Sequence, residues 1–220
     1  MTARVASASV GSFAENVYVI AAAESNDCVV IDPGSDGEMI ANAIKAAGFN
    51  LRYILITHGH ADHTGAIAVI KRELGGTIAA HHGDVDMVAN PDPGIVQLLG
   101  DFEQPPAVEL VLHGGEIIEV ADLKIRVIAT PGHTPGSVSY LCENLLFTGD
   151  TLFKGSIGRY DLPGGNGELE LLSIREHLLT LPEETVVLPG HGPQTTIREE
   201  SANNPFLTSR VTDEDDQAGN

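Results

Sequence analysis

The sequence predicts an α/β protein in which two mixed sheets pack face to face with helices outside, an αββα sandwich. Two observations carry this. Short apolar, β-branched runs recur between turn residues along the chain. Each half also reads as strands followed by a helix, the pattern of layered sheets with helical outer faces. A chain of 220 residues is long enough for one sizeable core and short for two full domains. Aromatic residues are scarce, at 5% with no Trp, so the core must be built from Val, Ile, Leu and Ala.

The elements follow in order. Residues 16–22 and 27–31 are strand-like, and Asp32-Pro33-Gly34 ends the second. Ser35 or Asp36 can cap a helix that runs to about Ala47 and closes at Gly48. Residues 51–57 form a run of apolar and β-branched side chains, which predicts a buried strand. Residues 64–74 read as a helix with Gly75-Gly76 behind it. The Pro- and Gly-rich segment 90–106 is expected to cover one side of the site. A second strand series spans 116–120, 123–129, 137–142 and 145–148. An amphipathic helix over 168–180, a strand over 185–188 and a short helix over 197–204 complete the pattern. No repeat of solenoid length is present. The reading is one domain over 1–209, followed at 210–220 by an acidic tail expected to be disordered, with Asp213-Glu214-Asp215-Asp216 in it.

Charge excludes some partners. With 31 acidic and 12 basic residues the formal net charge is -19. A field of that sign repels nucleic acid and anionic membranes. No run approaches the roughly 18 apolar residues of a membrane span, and the first ten residues lack the features of a secretory signal. A cytoplasmic location is the default expectation. Cys28 and Cys142 lie far apart in strand-like runs and are expected to be reduced and buried.

The chemistry concentrates in Thr57-His58-Gly59-His60-Ala61-Asp62-His63, directly after a predicted buried strand. Strand ends are where open α/β folds place ligands. The short loop lets His58 and His60 point to one pocket while Asp62 and His63 point to its neighbour. Imidazole and carboxylate suit zinc, iron and manganese. Three further strand ends carry a ligand type on a Gly-containing loop: His133 in Thr130-Pro131-Gly132-His133-Thr134-Pro135-Gly136, Asp150 in Thr148-Gly149-Asp150, and His191 in Leu188-Pro189-Gly190-His191-Gly192. Each alone is weak, and their sum is not. His81 and His82 form a pair with no matching pattern and read as surface or supporting residues, and His113 and His177 as surface residues. No G-x-S-x-G nucleophile elbow, phosphate-binding loop or dinucleotide fingerprint competes.

THGHADH, then PGH, GD and GH in this order, resembles the metallo-β-lactamase superfamily over nearly the whole chain. The resemblance implies His58, His60 and His133 on one metal, Asp62, His63 and His191 on a second, and Asp150 bridging both. It implies two divalent ions, zinc first, with iron or manganese accepted by the same donors. Two metals about 3.5–4 Å apart can hold one hydroxide between them, and zinc-bound water ionises near pH 7 against 15.7 for bulk water. Asp62 would orient that nucleophile as well as bind metal.

The run from Gly149 to Gly165, together with Pro189-Gly190-His191-Gly192-Pro193 and Asn204-Pro205-Phe206-Leu207, looks like the glyoxalase II-like hydrolases, especially the short bacterial and archaeal ones. That implies hydrolysis of a small-molecule thioester such as S-lactoylglutathione. A thiol leaving group, with a pKa near 8.5, departs without a strong general acid. Arg159 falls where the family uses a substrate-binding lysine, and its guanidinium could hold a carboxylate. The family's nearby tyrosine position is Asp161 here. The alternative is an iron-dependent persulfide dioxygenase, which shares the first ligand motif and a Gly-Arg after the bridging aspartate. A lactonase ranks below both.

Overall fold

The structure, a computed structural model, describes residues 3–208. The acidic tail read over 210–220 lies outside the described residues. One sheet contains β1 (Arg4–Val10), β2 (Glu15–Ala21), β3 (Asp27–Ile31), β4 (Asn50–Leu55), β5 (Thr77–His81) and β6 (Leu110–Leu112), in that spatial order. β1 to β3 pair antiparallel, and β3 to β6 pair parallel. The other sheet is built from β7 (Ile117–Val120), β8 (Leu123–Ala129), β9 (Val138–Cys142) and β10 (Leu145–Gly149). A small hairpin, β11 (Leu152–Phe153) and β12 (Ser156–Ile157), follows, and then β13 (Val186–Pro189) and β14 (Thr195–Thr196) join the second sheet. Its order is β14-β13-β10-β9-β8-β7, with β10 and β13 parallel. Both sheets are therefore mixed.

Eight α-helices accompany them among the described residues: α1 (Gly37–Ala46), α2 (Ala61–Thr64), α3 (Ile67–Leu74), α4 (Val85–Ala89), α5 (Pro93–Leu99), α6 (Gly167–Ser173), which runs on into a π-helical turn over Ile174–Leu178, α7 (Ile197–Asn203) and α8 (Pro205–Thr208).

The period of two along each strand assigns side chains to layers. Val29 and Ile31 of β3 face the second sheet and meet Val127, Tyr140 and Phe147 in the central core. Val30, between them, faces the other way and packs with Ile40 and Ile44 of α1 and Ile67 and Ile70 of α3. On the far side, Leu146 of β10 and Val187 of β13 pack with Ile174, Leu178 and Ile197. Three apolar layers thus separate four layers of structure, the predicted αββα sandwich. Because the central parallel strands are buried on both faces, they read in sequence as continuous apolar runs.

Several local expectations change. The helix expected over 64–74 is split, because α2 stops at Thr64 and α3 begins at Ile67. The break at Gly65 brings Gly34 O and Ala61 O where a Cβ would sit, so any other residue there would push the chain out. Asp36 precedes α1 in a left-handed conformation with no side-chain cap, and its carboxylate instead accepts the Gly11 N–H at 3.0 Å. Ser35 turns to Asp101 at 3.3 Å. The segment over 90–106 contains α5 and packs beside α2, with the Glu103 N–H donating to Gly65 O and Phe102 over Gly65. Cys28 and Cys142 are buried and free, as expected. No helix among the described residues is long and apolar enough to cross a membrane.

Candidate metal centre

All the ligand-type residues lie where strands end. β4 delivers His58, Gly59 and His60, and α2, directly after, carries Asp62 and His63. β8 feeds the loop with His133, β10 ends at Gly149 before Asp150, and β13 ends at Pro189 before Gly190 and His191. The last two glycines are needed for close approach. A side chain at Gly149, which sits at φ +50°, would strike Thr57, and one at Gly190 would strike Asp150 and His63.

The fold brings every one of these residues together. His58, His60 and His133 form one group and Asp62, His63 and His191 another, each with its ligand atoms within 4.8 Å of one another. Asp150 lies between them: Oδ1 is 3.4 Å from His63 Nε2, and Oδ2 is 3.6 Å from His191 Nε2 and 3.8 Å from His133 Nε2. Asp62 Oδ2 is 3.4 Å from His191 Nε2 and 3.9 Å from His63 Nε2.

These residues fit a metal better than they fit one another. His60 Nδ1 and His133 Nε2 face each other at 2.9 Å, and the Nε2 atoms of His63 and His191 at 3.3 Å. His58 Nε2 is buried with no hydrogen-bond partner. Meanwhile the outer ring nitrogens are held. His133 Nδ1 donates to Arg159 O at 2.7 Å, and His191 Nδ1 to Phe13 O at 3.1 Å. His63 Nδ1 donates to Asp32 at 3.0 Å, and His58 Nδ1 to the Thr57 hydroxyl at 3.1 Å. A proton fixed on the outer nitrogen leaves the inner lone pair free for a cation, the arrangement typical of metal-bound histidine.

Asp32 supports this cluster without any motif that marks it in the sequence. In the sequence it marks only a turn at a strand end. Its Oδ1 accepts the Thr57 N–H at 2.7 Å, and its Oδ2 accepts the Thr57 hydroxyl at 2.6 Å besides His63. One buried carboxylate therefore anchors His63 directly and His58 through Thr57. The available signal is position: Asp32-Pro33-Gly34 follows a buried strand, like the candidate ligands. Glu15 is likewise unmarked in the sequence; it is buried 3.9 Å from His63 Nδ1, and burial raises its pKa well above the usual carboxylate range.

Other histidines are elsewhere. His81 is buried at the end of β5 and accepts the Gly83 N–H, while His82, His113 and His177 are exposed. Arg159 stands at the rim, its carbonyl on His133, but its guanidinium is already forked onto Asp161 at 2.9 and 3.0 Å. Both side chains of that pair are mostly exposed, so solvent screens it and it adds little to stability.

Electrostatics divide the two groups. Burial, reinforced by His63 and His133, holds His58 well below its ordinary pKa, and burial with His133 puts His60 at about 4. Burial opposes protonation of His63 too, but Asp150 and Asp62 outweigh it and raise its pKa well above the usual value. For His191 burial is likewise overcome, by Asp62 and Asp150. Cations must displace protons from imidazole. Metal affinity of the second group is therefore expected to rise with pH through neutrality, where His63 and His191 must give up protons, whereas His58 and His60 of the first group are held neutral and have none to give up there. Calorimetric titration in buffers of different ionisation enthalpy, which counts released protons, checks this. Equal release at both groups would contradict it.

The sequence profile of the Metallo-beta-lactamase superfamily matches residues 10–191. The chain belongs to this superfamily. It is 39% identical over 202 residues to the probable metallo-hydrolase YqgX of Bacillus subtilis, covering 90% of this chain and 94% of that one. It is 34% identical over 209 residues to the hydroxyacylglutathione hydrolase GloC of Haemophilus influenzae, covering 91% and 96%. Among solved structures, BLEG-1 B3 metallo-beta-lactamase superposes with a TM-score of 0.87 at 36% identity, over 94% of this chain and 100% of that one. TTHA1623 in a di-iron-bound form gives 0.82 at 35%, over 92% and 100%. The chain is thus a metal-dependent hydrolase of the metallo-β-lactamase superfamily, with a cluster of histidine and aspartate suited to divalent cations.

Proposed function

We propose that the chain is a binuclear, glyoxalase II-like hydrolase that cleaves a small-molecule acyl thioester, with His58, His60 and His133 holding one ion and Asp62, His63 and His191 the other. The observation that carries this is Asp150 standing between two complete triads, within 4 Å of nitrogens from both. Likeness to the hydroxyacylglutathione hydrolase GloC supports the thioester. Bound zinc, iron or manganese ions would supply an activated water near neutral pH and polarise the acyl carbonyl.

The protein's own part is orientation and charge. Burial opposes ionisation of Asp62, but His63 and His191 outweigh it and hold its pKa well below the usual carboxylate range. Asp62 therefore stays an acceptor through the working range of pH and can align the attacking water. Arg159 can reach a substrate carboxylate only by leaving Asp161, a small cost for so exposed a pair. No protein acid is needed for the leaving group, since a thiolate is stable enough to depart.

The test is to purify the protein without chelators, count metals by elemental analysis, and follow thiol release from S-lactoylglutathione with the same sample. Near two ions per chain with thiol release is the expected result. In that assay Arg159→Ala is expected to raise KM several-fold with kcat little changed. One iron per chain, no thiol release, and oxygen uptake with glutathione persulfide would instead favour a dioxygenase.

A further inference from the structure

We infer that Asp84 is a positioning residue that holds the first triad at metal-binding distance. The inference rests on the two-metal reading above. Asp84 supplies no atom to either ligand group, yet it is fully buried in the turn that follows β5. Its Oδ2 accepts the Gly59 N–H at 2.8 Å and the Thr134 hydroxyl at 2.6 Å, and its Oδ1 accepts the Gly136 N–H at 2.7 Å.

The partners give these bonds their meaning. Gly59 is the single residue between His58 and His60, while Thr134 and Gly136 belong to the loop that presents His133. One carboxylate thus ties the loop with two ligands of the first triad to the loop with the third. The fit is tight, because a Cβ at Gly136 would collide with the Asp84 carboxyl group and one at Gly83 with the backbone of Pro135 and Gly136. All three donors are neutral, and no Lys or Arg pairs with Asp84 among the described residues. The second triad is anchored by other groups, Asp32 at His63 and Phe13 O at His191. Loss of Asp84 should therefore damage one metal position and spare the other, which a general defect in folding would not do.

Asn is the informative replacement. It fills the same volume, but its amide presents N–H groups to one side of a site where donors approach both oxygens. Metal-free wild type and Asp84→Asn would be titrated with cobalt(II) and followed by visible absorption, with His133→Ala and His191→Ala marking the bands of each triad. The unfolding midpoint of each metal-free protein would be recorded. Wild type is expected to take two ions. Asp84→Asn should keep the second-triad affinity while the first-triad Kd rises about 10- to 100-fold, the range for residues that support metal ligands. Thr134→Val, which removes one of the three bonds, should shift the same site by less, and it carries the test if Asp84→Asn does not fold. Equal weakening at both triads, or at neither, overturns the proposal. A wild type that takes fewer than two ions overturns the two-metal reading itself, and this proposal with it.

Discussion

Asp62→Ala is expected to lower kcat by more than about 10³-fold while the protein still folds. A positioned side-chain base alone gives about 10²–10⁴-fold. Lowering the pKa of a water from 15.7 to about 7 is worth roughly 12 kcal/mol. Asp62 bears on both effects, because its carboxylate belongs to the second triad and faces the cleft between His63 and His191. The fold should survive, since the side chain is not part of any apolar layer and the backbone of Asp62, packed against Gly34, is unchanged. Steady-state kinetics with excess metal, beside an unfolding curve, checks this. Retention of even a tenth of wild-type kcat in a folded protein would remove Asp62 from the chemistry.

Much of this candidate centre is legible because the residues that could hold a metal obey one local rule. Each follows a strand and sits beside a glycine that permits close approach, so His58, His60, His133, Asp150 and His191 announce themselves in sequence. The four-layer fold was legible for a related reason: parallel strands buried on both faces give apolar runs, and helices between them give a period near 3.6. What stayed hidden is the support. Asp32 and Asp84 are identified by hydrogen bonds spanning 25 to 52 residues, and no local pattern encodes those partners. Arg159 was legible in place but not in state, since its partner Asp161 lies only two residues on and the pairing depends on a rotamer. Strands β1, β5 and β6, and the two-residue β11, β12 and β14, are not legible in the sequence either. β1 is a mostly exposed edge strand built from small residues, and β6 has only three residues, so neither shows a strong apolar signal.

Asp32→Asn is expected to weaken metal binding at both triads, a wider loss than either Asp62→Ala or Asp84→Asn produces. Three donors converge on this carboxylate: the Thr57 N–H on Oδ1, and the Thr57 hydroxyl and His63 Nδ1 on Oδ2. Asn tolerates the left-handed φ of +48° at this position, so the backbone need not move. Whichever way the amide turns, its N–H₂ meets at least one donor, and each buried donor left unsatisfied costs about 1–3 kcal/mol. If the N–H₂ faces Oδ2's partners, His63 loses its anchor and the Thr57 hydroxyl, on which His58 leans, loses its acceptor. One substitution then disturbs a ligand in each triad. The three carboxylates should leave three different signatures in elemental analysis and cobalt titration: Asp32→Asn weakened at both triads, Asp84→Asn weakened at the first triad, Asp62→Ala weakened at the second. A folded Asp32→Asn protein that keeps two tightly bound ions would show that the histidines hold their orientation without it, and would move the anchoring role to the backbone of the loops.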